Sequence, residues 1–325
     1  IHHISLAQEP DLVVVAPATA NIIAKMANGI ADDLISTTLL ATPRPIVIAP
    51  AMNNGMWKAP ATQANMATLR ERGVHVVGPG SGYLACGDVD TGRMSEPEDI
   101  VEAICEVLYP APQDLAGKRI VITAGPTHEP IDPVRFIGNR SSGKMGIALA
   151  GEAVRRGAAV TLVLGPTSLD VPHGVECVRV QTAAEMLQAA LNAFQTADAA
   201  ICAAAVADYT PAAPANHKLK KANERLDRIE LVETVDILAE LSRQKGERRV
   251  IGFAAETDNV VEYAERKLAR KGCDAIIAND VSRADSGFGT DTNKAWIVST
   301  TGTQELPVLT KPQLADTILD LLQNL

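Results

Sequence analysis

Short, mainly apolar runs alternate with amphipathic stretches along most of the chain. In the first third, residues 12–15, 46–48 and 74–77 are such runs, and each is followed by a loop-forming stretch that contains proline or glycine. Residues 61–72 have helical spacing and precede Gly73, which suits the end of a helix. Apolar runs of this length are typical of buried strands, so the alternation predicts a β-α-β series on a mostly parallel sheet.

A short proline-bearing segment, residues 109–114, divides the chain. A predicted helix over residues 98–108 comes before it, and a predicted strand over residues 119–123 follows it. We place a domain boundary within this segment, which gives domains of residues 1–110 and 111–325. A chain of 325 residues is long enough for two domains of ordinary size.

The second domain repeats the same alternation. After its first strand, an amphipathic helix over residues 144–156 precedes Gly157. The remaining predicted strands are residues 160–164, 199–206, 250–253, 275–278 and 296–299. The predicted fold class is therefore α/β, with two Rossmann-like domains and mostly parallel sheets. Such sheets bind ligands beyond the carboxyl ends of their strands, so binding residues are expected in the loops there.

Composition and charge narrow the range of functions. The net charge of −9, the pI near 5.2 and the 3% of aromatic residues argue against a nucleic-acid partner, which needs a basic face or stacking aromatics. A local basic pocket stays possible. No apolar run reaches the roughly 18 residues that span a membrane, so no membrane partner is expected. The five cysteines form no C-x-x-C pair, which favours a reduced, cytoplasmic protein.

One loop of the second domain nearly fits the P-loop pattern. Residues 138–145 read G-N-R-S-S-G-K-M, but Met145 stands where a P-loop has the Ser or Thr that holds magnesium. The preceding predicted strand also ends about 15 residues earlier, which is too far away. Ser141 or Ser142 is expected to cap the helix that follows. Two interpretations stay open here, a helix N-terminus that binds an anion and an ordinary capped helix.

Charged residues elsewhere in the second domain are further candidates. Asp208 follows a strand of small residues, where it either contacts a ligand or caps a turn. Residues 218–221, K-L-K-K, are either a solvated basic face or a lid over a polyphosphate. Lys267 and Lys271 are four residues apart and share one helix face, where their repulsion favours an anion between them.

Several strings of the second domain, taken in order, indicate one family. They are I-T-A-G-P-T at 122–127, D-P-V-R-F-I-G-N-R-S-S-G-K-M-G at 132–146, A-A-V-A-D at 204–208, K-L-K-K at 218–221, G-F-A-A-E-T at 252–257 and A-N-D-V at 278–281. Residues 118–325 therefore resemble phosphopantothenate–cysteine ligase, the C-terminal half of the bifunctional bacterial coenzyme A biosynthesis proteins. Ordered strings over some 200 residues are more specific than any single motif.

The resemblance implies a two-step reaction. CTP activates the carboxylate of 4'-phosphopantothenate as an acyl-cytidylate and pyrophosphate is released, after which the amine of cysteine forms the amide. The protein would gather anionic substrates and screen their mutual repulsion. Family members use Mg²⁺ with the triphosphate, as hard oxygen chemistry favours, but the sequence leaves the ligands of the metal unknown.

The resemblance also assigns site residues in the second domain. Asn139 would contact the acyl-cytidylate and orient its carbonyl. Lys218 would reach the triphosphate, either within its own subunit or from a partner subunit. The residues that would hold the cytidine nucleotide are Ala203, Ala204, Asp208, Val235, Asp236, Ile237, Leu238, Phe253, Lys267 and Lys271.

The first domain resembles the flavin-dependent decarboxylase half of the same proteins. Its strings are A-P-A-T-A-N at 16–21, P-A-M-N-x-x-M-W at 50–57 and A-C-G-D-x-D-x-G-R-M at 85–94. Asp90 stands in the last string where the family has a glycine. The resemblance implies a flavodoxin-like flavoprotein domain whose cofactor is FMN and whose product is 4'-phosphopantetheine.

Three residues of the first domain carry the implied chemistry. His3 would be the active-site base, Asn53 would bind the substrate carboxylate and Cys86 would donate a proton. Taken singly, each has an ordinary alternative. His3 is also a histidine near a chain end, Asn53 a turn residue and Cys86 a small buried apolar side chain.

His3 begins a match to the H-I-x-L motif of the family at residues 3–6. In the family a strand and an FMN phosphate-binding loop come before that motif, whereas this chain opens at Ile1. We therefore expect a partial decarboxylase domain that binds FMN weakly or not at all by itself, with decarboxylation belonging to the full-length protein. The resemblance further implies a homo-oligomer, in which ligase domains form dimers and the decarboxylase domains of the full-length protein form trimers.

Two other functions are alternatives to the ligase. A dinucleotide-dependent oxidoreductase would need a G-x-G-x-x-G after a strand, and the sequence has none. A non-catalytic nucleotide- or flavin-binding scaffold is the remaining alternative. The presence of Asn139, Asp208, Lys218, Lys267 and Lys271 favours an active ligase over that scaffold.

Overall fold

The computed structural model describes residues 2–83, 89–220, 228–287 and 289–325. The chain divides into two compact units, Ile1–Ala111 (unit 1) and Pro112–Leu325 (unit 2). Across the described ranges, no helix is both long and apolar enough to cross a membrane.

Unit 1 contains a small parallel sheet and its helices. The strands are β1 (Val13–Ala18), β2 (Ile46–Pro50), β3 (His75–Val76), β4 (Gly80–Tyr83) and β5 (Val89–Arg93). The helices are α1 (His2–Gln8), α2 (Ala20–Asn28), α3 (Leu34–Ala41), α4 (Asn54–Lys58), α5 (Pro60–Glu71) and α6 (Pro97–Leu108). Strands β1, β2 and β3 pair in that order and in parallel, and β4 and β5 form a separate hairpin. Ile48 of β2 packs in one buried cluster with Ile23, Met66 and Leu69 of the helices.

Unit 2 is built on one large sheet. Its strands are β6 (Arg119–Ala124), β7 (His128–Pro130), β8 (Phe136–Gly138), β9 (Ala159–Leu164), β10 (Glu176–Arg179), β11 (Ala199–Cys202), β12 (Tyr209–Pro211), β13 (Leu231–Glu233), β14 (Arg249–Glu256), β15 (Ala275–Asp280), β16 (Thr292–Ser299) and β17 (Gly302–Thr310). Its helices are α7 (Lys144–Arg155), α8 (Ala183–Phe194), α9 (Ile237–Arg243), α10 (Val260–Lys271) and α11 (Lys311–Asn324).

The main sheet of unit 2 has eight strands in the order β10-β9-β6-β11-β14-β15-β16-β17. The first six are parallel, and β16 and β17 continue the sheet as antiparallel strands. Numbered along the chain, the six parallel strands lie in the order 3-2-1-4-5-6 of a Rossmann fold. The predicted α/β class with mostly parallel sheets is confirmed, and the strand order reverses between β6 and β11.

Both faces of this sheet are buried, as a parallel sheet requires. Ile120 and Ile122 of β6 pack with apolar residues of α7 and α11 on one face. Val121 faces the other way, towards residues of α8, α9 and α10. Helix α7 approaches β6 closely, because Gly146 has no side chain to separate the helix from Ala124.

The prediction of a strand over residues 199–206 is wrong in its second half, because β11 ends at Cys202. Beyond that point the chain stays bonded to the end of β6 and to the residues after it, with Ala203 N donating to Thr123 O at 3.1 Å and Ala205 N donating to Gly125 O at 2.9 Å. Only an isolated bridge to Pro126 continues the pairing there. Proline has no amide to donate, so a regular ladder cannot extend along it.

Arg156 joins distant parts of unit 2 although it is only 1% exposed. Its guanidinium contacts Asp114 Oδ2 at 2.6 Å, near the start of the unit. It also contacts Asp316 Oδ1 at 3.0 Å and Asp320 Oδ1 at 2.8 Å, both on α11. Burial disfavours the charge of Arg156, but hydrogen bonds to Asp114 and Asp320 raise its pKa above the ordinary value overall.

Replacing Gly146 by alanine is expected to destabilise unit 2 by about 1–3 kcal/mol through overpacking. The added Cβ would lie 2.3 Å from Ala124 Cβ and 3.0 Å from Ala124 Cα. Gly151 is the matched control on the same helix, since its added Cβ would meet Pro172 Cγ at an ordinary 3.5 Å. Alanine at that position should be neutral or stabilising by up to ~1 kcal/mol, because it favours the helix. Urea unfolding of both variants checks the contrast, and equal free energies of unfolding would contradict the close contact.

Candidate active site

A cleft of about 1110 Å³ opens at the carboxyl ends of the parallel strands of unit 2. It lies at the reversal of strand order, with Thr123 near the end of β6 on one side and residues 203–208 after β11 on the other. Such a switch point is where an open α/β sheet binds its ligand. The remaining walls come from the starts of α7 and α9, from α10, and from residues near the start of α11.

The first wall is the loop that leads into α7. Gly143 occupies the N-cap position with a φ of 83°, which glycine adopts without strain. Ser141 Oγ accepts the amide of Gly143 at 3.3 Å, and Ser142 Oγ accepts the amide of Lys144 at 3.4 Å. The prediction that one of these serines caps α7 is therefore wrong, because glycine occupies the cap and each serine bonds an amide two residues ahead.

Asn139 reaches from the same loop to the chain that leaves β11. Its Nδ2 donates to the carbonyl oxygens of Ala205 at 3.2 Å and Val206 at 3.0 Å. Since both bonds use the amide nitrogen, the plane of the carboxamide is fixed against the backbone. Oδ1 is then the atom of this side chain that can accept a hydrogen bond from a ligand.

The chain that leaves β11 is held by two buried threonines. Ala204 N donates to Thr123 Oγ1 at 3.4 Å, and Ala207 N donates to Thr127 Oγ1 at 3.0 Å. The side chains here are small, so a ligand can lie directly against this backbone. The predicted residues of this stretch that line the cleft are Ala203, Ala204 and the exposed Asp208.

The opposite wall contains an ion pair between Asp236 and Lys271. Asp236 also caps α9, with Oδ1 accepting the amide of Ala239 at 2.9 Å. One turn earlier on α10, Lys267 Nζ donates to Phe253 O at 2.8 Å, and burial lowers the pKa of this lysine. Each lysine has an acceptor of its own, so the spacing of the pair does not by itself require an anion between them. The other predicted residues that line this wall are Val235, Ile237 and Leu238.

A further group of polar residues lines the cleft beside α11. Lys311 is 4% exposed, and its Nζ donates to Asn293 Oδ1 at 2.6 Å and to Gly287 O at 3.2 Å. Burial lowers the pKa of Lys311 to about 8, with a smaller effect from Lys144 in the same direction and an opposing one from Asp291. Sequence reasoning missed this lysine. The feature that could have identified Lys311 is its position at the start of a helix, where the helix dipole disfavours a cation.

Lys218 is the one predicted residue of unit 2 that does not line the cleft, and it is exposed. Its neighbour Leu219 is tied to the turn before β8, with Leu219 N donating to Asp132 Oδ2 at 3.1 Å and Arg135 Nη2 donating to Leu219 O at 2.9 Å. Asp132 is buried and also accepts the amide of Val134 at 2.8 Å. In the sequence, Asp132 is only the first residue of the family string at 132–146, and that string predicts no such contact.

Two of the three predicted residues of unit 1 lie within the described residues. His3 lies in α1. Asn53 is the N-cap of α4, where its Oδ1 accepts the amide of Gly55 at 2.8 Å. Cys86 lies outside the described residues. Within the described ranges, no group of three or more His, Cys, Asp and Glu side chains is arranged to hold a metal ion.

The sheet order and the cation-bearing cleft at its switch point define a Rossmann-like α/β protein with a polar cleft where such sheets bind ligands. Two family models match the chain. The model described as DNA/pantothenate metabolism flavoprotein C-terminal domain covers residues 115–325, and the one described as Flavoprotein covers residues 1–109.

Known proteins resemble the chain over almost its whole length. The coenzyme A biosynthesis bifunctional proteins CoaBC of Bacillus subtilis and Escherichia coli are each 49% identical to it over 322 residues, which is 98% of this chain and 79% of theirs. A crystal structure of the C-terminal domain of such a protein is 47% identical, with a TM-score of 0.55, over 64% of this chain and 97% of its own. The chain therefore belongs to the family of bifunctional coenzyme A biosynthesis proteins, as the resemblance indicated, and it is an enzyme of that pathway.

Replacing Asp236 by alanine is expected to lower the free energy of unfolding by about 1 kcal/mol, because α9 loses its cap. Asparagine should stay within roughly 0.5 kcal/mol of the parent, since a carboxamide caps as well as a carboxylate. The ion pair with Lys271 is lost in both variants, so their difference isolates the cap. Urea unfolding measures it, and an equal loss in both variants would assign the effect to the ion pair instead.

Because of the buried Asp132, the free energy of unfolding is expected to depend on pH in the acid range. The Arg135 guanidinium holds the pKa of Asp132 well below its ordinary value, against the opposing effect of burial. The stabilisation is therefore complete above the ordinary aspartate pKa of about 4 and is lost as the pH falls below it. Asp132→Asn should lower the free energy of unfolding at pH 7 and flatten its decline towards pH 3. The exposed Asp170→Asn is the control, and a parent-like decline in Asp132→Asn would argue against this role.

Proposed function

We propose that unit 2 is a CTP-dependent phosphopantothenate–cysteine ligase whose active site is the cleft between β6 and β11. One observation carries the proposal. Of the twelve site residues expected in this half of the chain, eleven line one cleft at the switch point, and Lys218 is the exception. Membership of the family supports the same reaction. A scaffold that only bound a nucleotide would not need Asn139 oriented as it is by two backbone carbonyls.

The reaction has two steps. An oxygen of the phosphopantothenate carboxylate attacks the α-phosphorus of CTP, the bond to the bridging oxygen breaks, and pyrophosphate leaves. The amine of cysteine then attacks the acyl carbon of the mixed anhydride, CMP leaves with the bonding electrons, and the nitrogen loses a proton. A carboxylate alone is a poor electrophile, so activation supplies the leaving group. The contribution of the chain is to position the reactants and to balance their charge.

The residues of the cleft suit these tasks. The alanines after β11 let the nucleotide lie against the backbone, and Asp208 stands where the chain turns away. Asn139 would orient the acyl carbonyl. Lys267 and Lys271, already held by their acceptors, would offer positive charge to the nucleotide without a large rearrangement. Lys218 would reach the triphosphate from its exposed loop, in this subunit or from a partner.

Mg²⁺ is proposed as an ion carried on the triphosphate. The described cleft residues include scattered oxygen donors such as Asp208 but no cluster of carboxylates. This donor set fits a small hard cation that takes most of its oxygen ligands from phosphate and water.

For unit 1 we propose FMN-dependent decarboxylation of phosphopantothenoylcysteine to 4'-phosphopantetheine. FMN, when bound, supplies the redox chemistry that allows carbon dioxide to leave. Ala16 lies in the second half of β1 and Ala51 just beyond β2, so a planar ring can approach the backbone there. Asn53 would bind the substrate carboxylate, His3 would act as the base and Cys86 would donate a proton. A ligase-domain dimer, a decarboxylase-domain trimer and a cytoplasmic location belong to the same proposal.

The test is pyrophosphate release by the chain with CTP, Mg²⁺ and phosphopantothenate, with and without cysteine, and with ATP in place of CTP. Release is expected to require both CTP and phosphopantothenate, and amide should appear only when cysteine is added. A folded sample that turns over neither nucleotide would contradict the ligase and favour a scaffold.

Asn139→Ala is expected to lower the rate of amide formation by roughly 10²–10³-fold, the usual effect of removing a group that orients a reacting carbonyl. Asn192→Ala is the matched control, because Asn192 lies on α8 away from the cleft and bonds Gln188. Product formation followed by mass spectrometry distinguishes the two variants. Equal rates for Asn139→Ala and the parent would remove Asn139 from the active site.

A further inference from the structure

The cleft has one region rich in buried hydrogen-bond donors, which we call the Lys311 lobe. It is defined by Lys311, Asn293 and Asn279, all of which line the cleft and are more than nine-tenths buried. The three side chains come from different elements, the start of α11, β16 and β15. Polar side chains this deeply buried normally find partners, because an unpaired one costs free energy.

The donors of this lobe are not all used by the described residues. Lys311 has three N–H groups, and two described acceptors, Asn293 Oδ1 and Gly287 O, account for two of them. Asn279 Oδ1 accepts Ser286 Oγ at 2.9 Å, and no described residue accepts a hydrogen bond from Asn279 Nδ2. Asn293 likewise accepts through Oδ1, and no described acceptor faces its Nδ2. The lobe therefore presents donors to whatever enters the cleft.

The charge of the lobe is close to one positive unit. Lys311 has a carbonyl and an amide oxygen as direct partners rather than a carboxylate. Lys144 also acts on Lys311 electrostatically, and it is paired with Asp291 at 2.6 Å. One unbalanced cation with surrounding N–H donors matches a monoanion such as a carboxylate. A triphosphate carries several negative charges, which one lysine would not balance.

Building on the proposed ligase function, we propose that the Lys311 lobe binds the α-carboxylate of the amino-acid substrate and so directs its amine to the acyl-cytidylate. Lys311 and Asn293 would be specificity-determining residues that recognise cysteine as an amino acid rather than as a simple aminothiol. The first step, which involves no amino acid, would not depend on them.

The experiment compares cysteine with cysteamine, which has the amine and the thiol but no carboxylate. Lys311→Met removes the charge while keeping an unbranched side chain. Lys294→Met is the matched control, since Lys294 pairs with Glu305 and does not line the cleft. Lys311→Met is expected to lower kcat/KM for cysteine by roughly 10–100-fold, the effect of a lost charged hydrogen bond. Its kcat/KM for cysteamine, its KM for CTP and its pyrophosphate release without an amine should stay within about twofold of the parent.

A second variant guards against misfolding. Asn293→Asp places a carboxylate beside Lys311 at almost unchanged volume, so it should exclude the substrate carboxylate and give the same selective loss for cysteine. Thermal unfolding of all variants is recorded alongside.

Three results would overturn the proposal. The first is an equal loss of kcat/KM with cysteine and cysteamine in Lys311→Met. The second is a raised KM for CTP in that variant, which would assign the lobe to the nucleotide phosphates. The third is a parent protein that uses cysteamine as well as cysteine. Failure of the ligase itself is a different result, because then the parent would release no pyrophosphate from CTP.

Discussion

The reversal of strand order between β6 and β11 is the constraint on which the cleft of unit 2 depends. The chain leaves these neighbouring strands for opposite faces of the sheet, so no connection covers the gap above their carboxyl ends. Helix α7 then packs tightly on one face, because Gly146 lets it approach Ala124, and the loop before it forms a wall of the gap. The position of the site therefore follows from topology, and its chemistry from the side chains that topology exposes there.

The cations of the cleft are held by the protein itself. Lys267 bonds a backbone carbonyl, Lys271 a carboxylate, and Lys311 a carbonyl together with a carboxamide. These partners fix each ammonium group before a ligand arrives, which reduces the reorganisation that binding requires. The chain as a whole is acidic, with a net charge of −9, although these three lysines line one cleft. The positions of individual charged groups, rather than the net charge of the chain, therefore determine the electrostatics of the cleft.

Much of the architecture could be predicted from the sequence, because buried parallel strands such as β6 are almost continuously apolar and the helices between them carry clear periodicity. The extent of β11 could not, since alanines after Cys202 look like strand but bond to a segment containing Pro126. The cap of α7 also escaped, because two serines offered a simpler solution than a glycine at positive φ.

Some residues of the candidate site could likewise be predicted from the sequence, and others could not. Residues in long family strings, such as Asn139 and Asp208, could be found from the sequence and line one cleft. Lys311 could not, because its importance comes from burial and from contacts with Asn293 and Gly287, which are distant in sequence. The ion pair between Asp236 and Lys271 is also a tertiary contact, and the spacing of the lysines on α10 led instead to an inference of repulsion.

Arg156 has a consequence for how unit 2 can be rearranged. Its guanidinium holds Asp114, close to the start of the unit, and Asp316 and Asp320 on the final helix. The two ends of this half of the chain therefore meet around a single buried side chain. Units whose ends lie close together tolerate circular permutation, in which those ends are joined and new ones are opened in an exposed loop. The first and last segments of unit 2 are thus held near each other by ion pairs, although they are far apart in sequence.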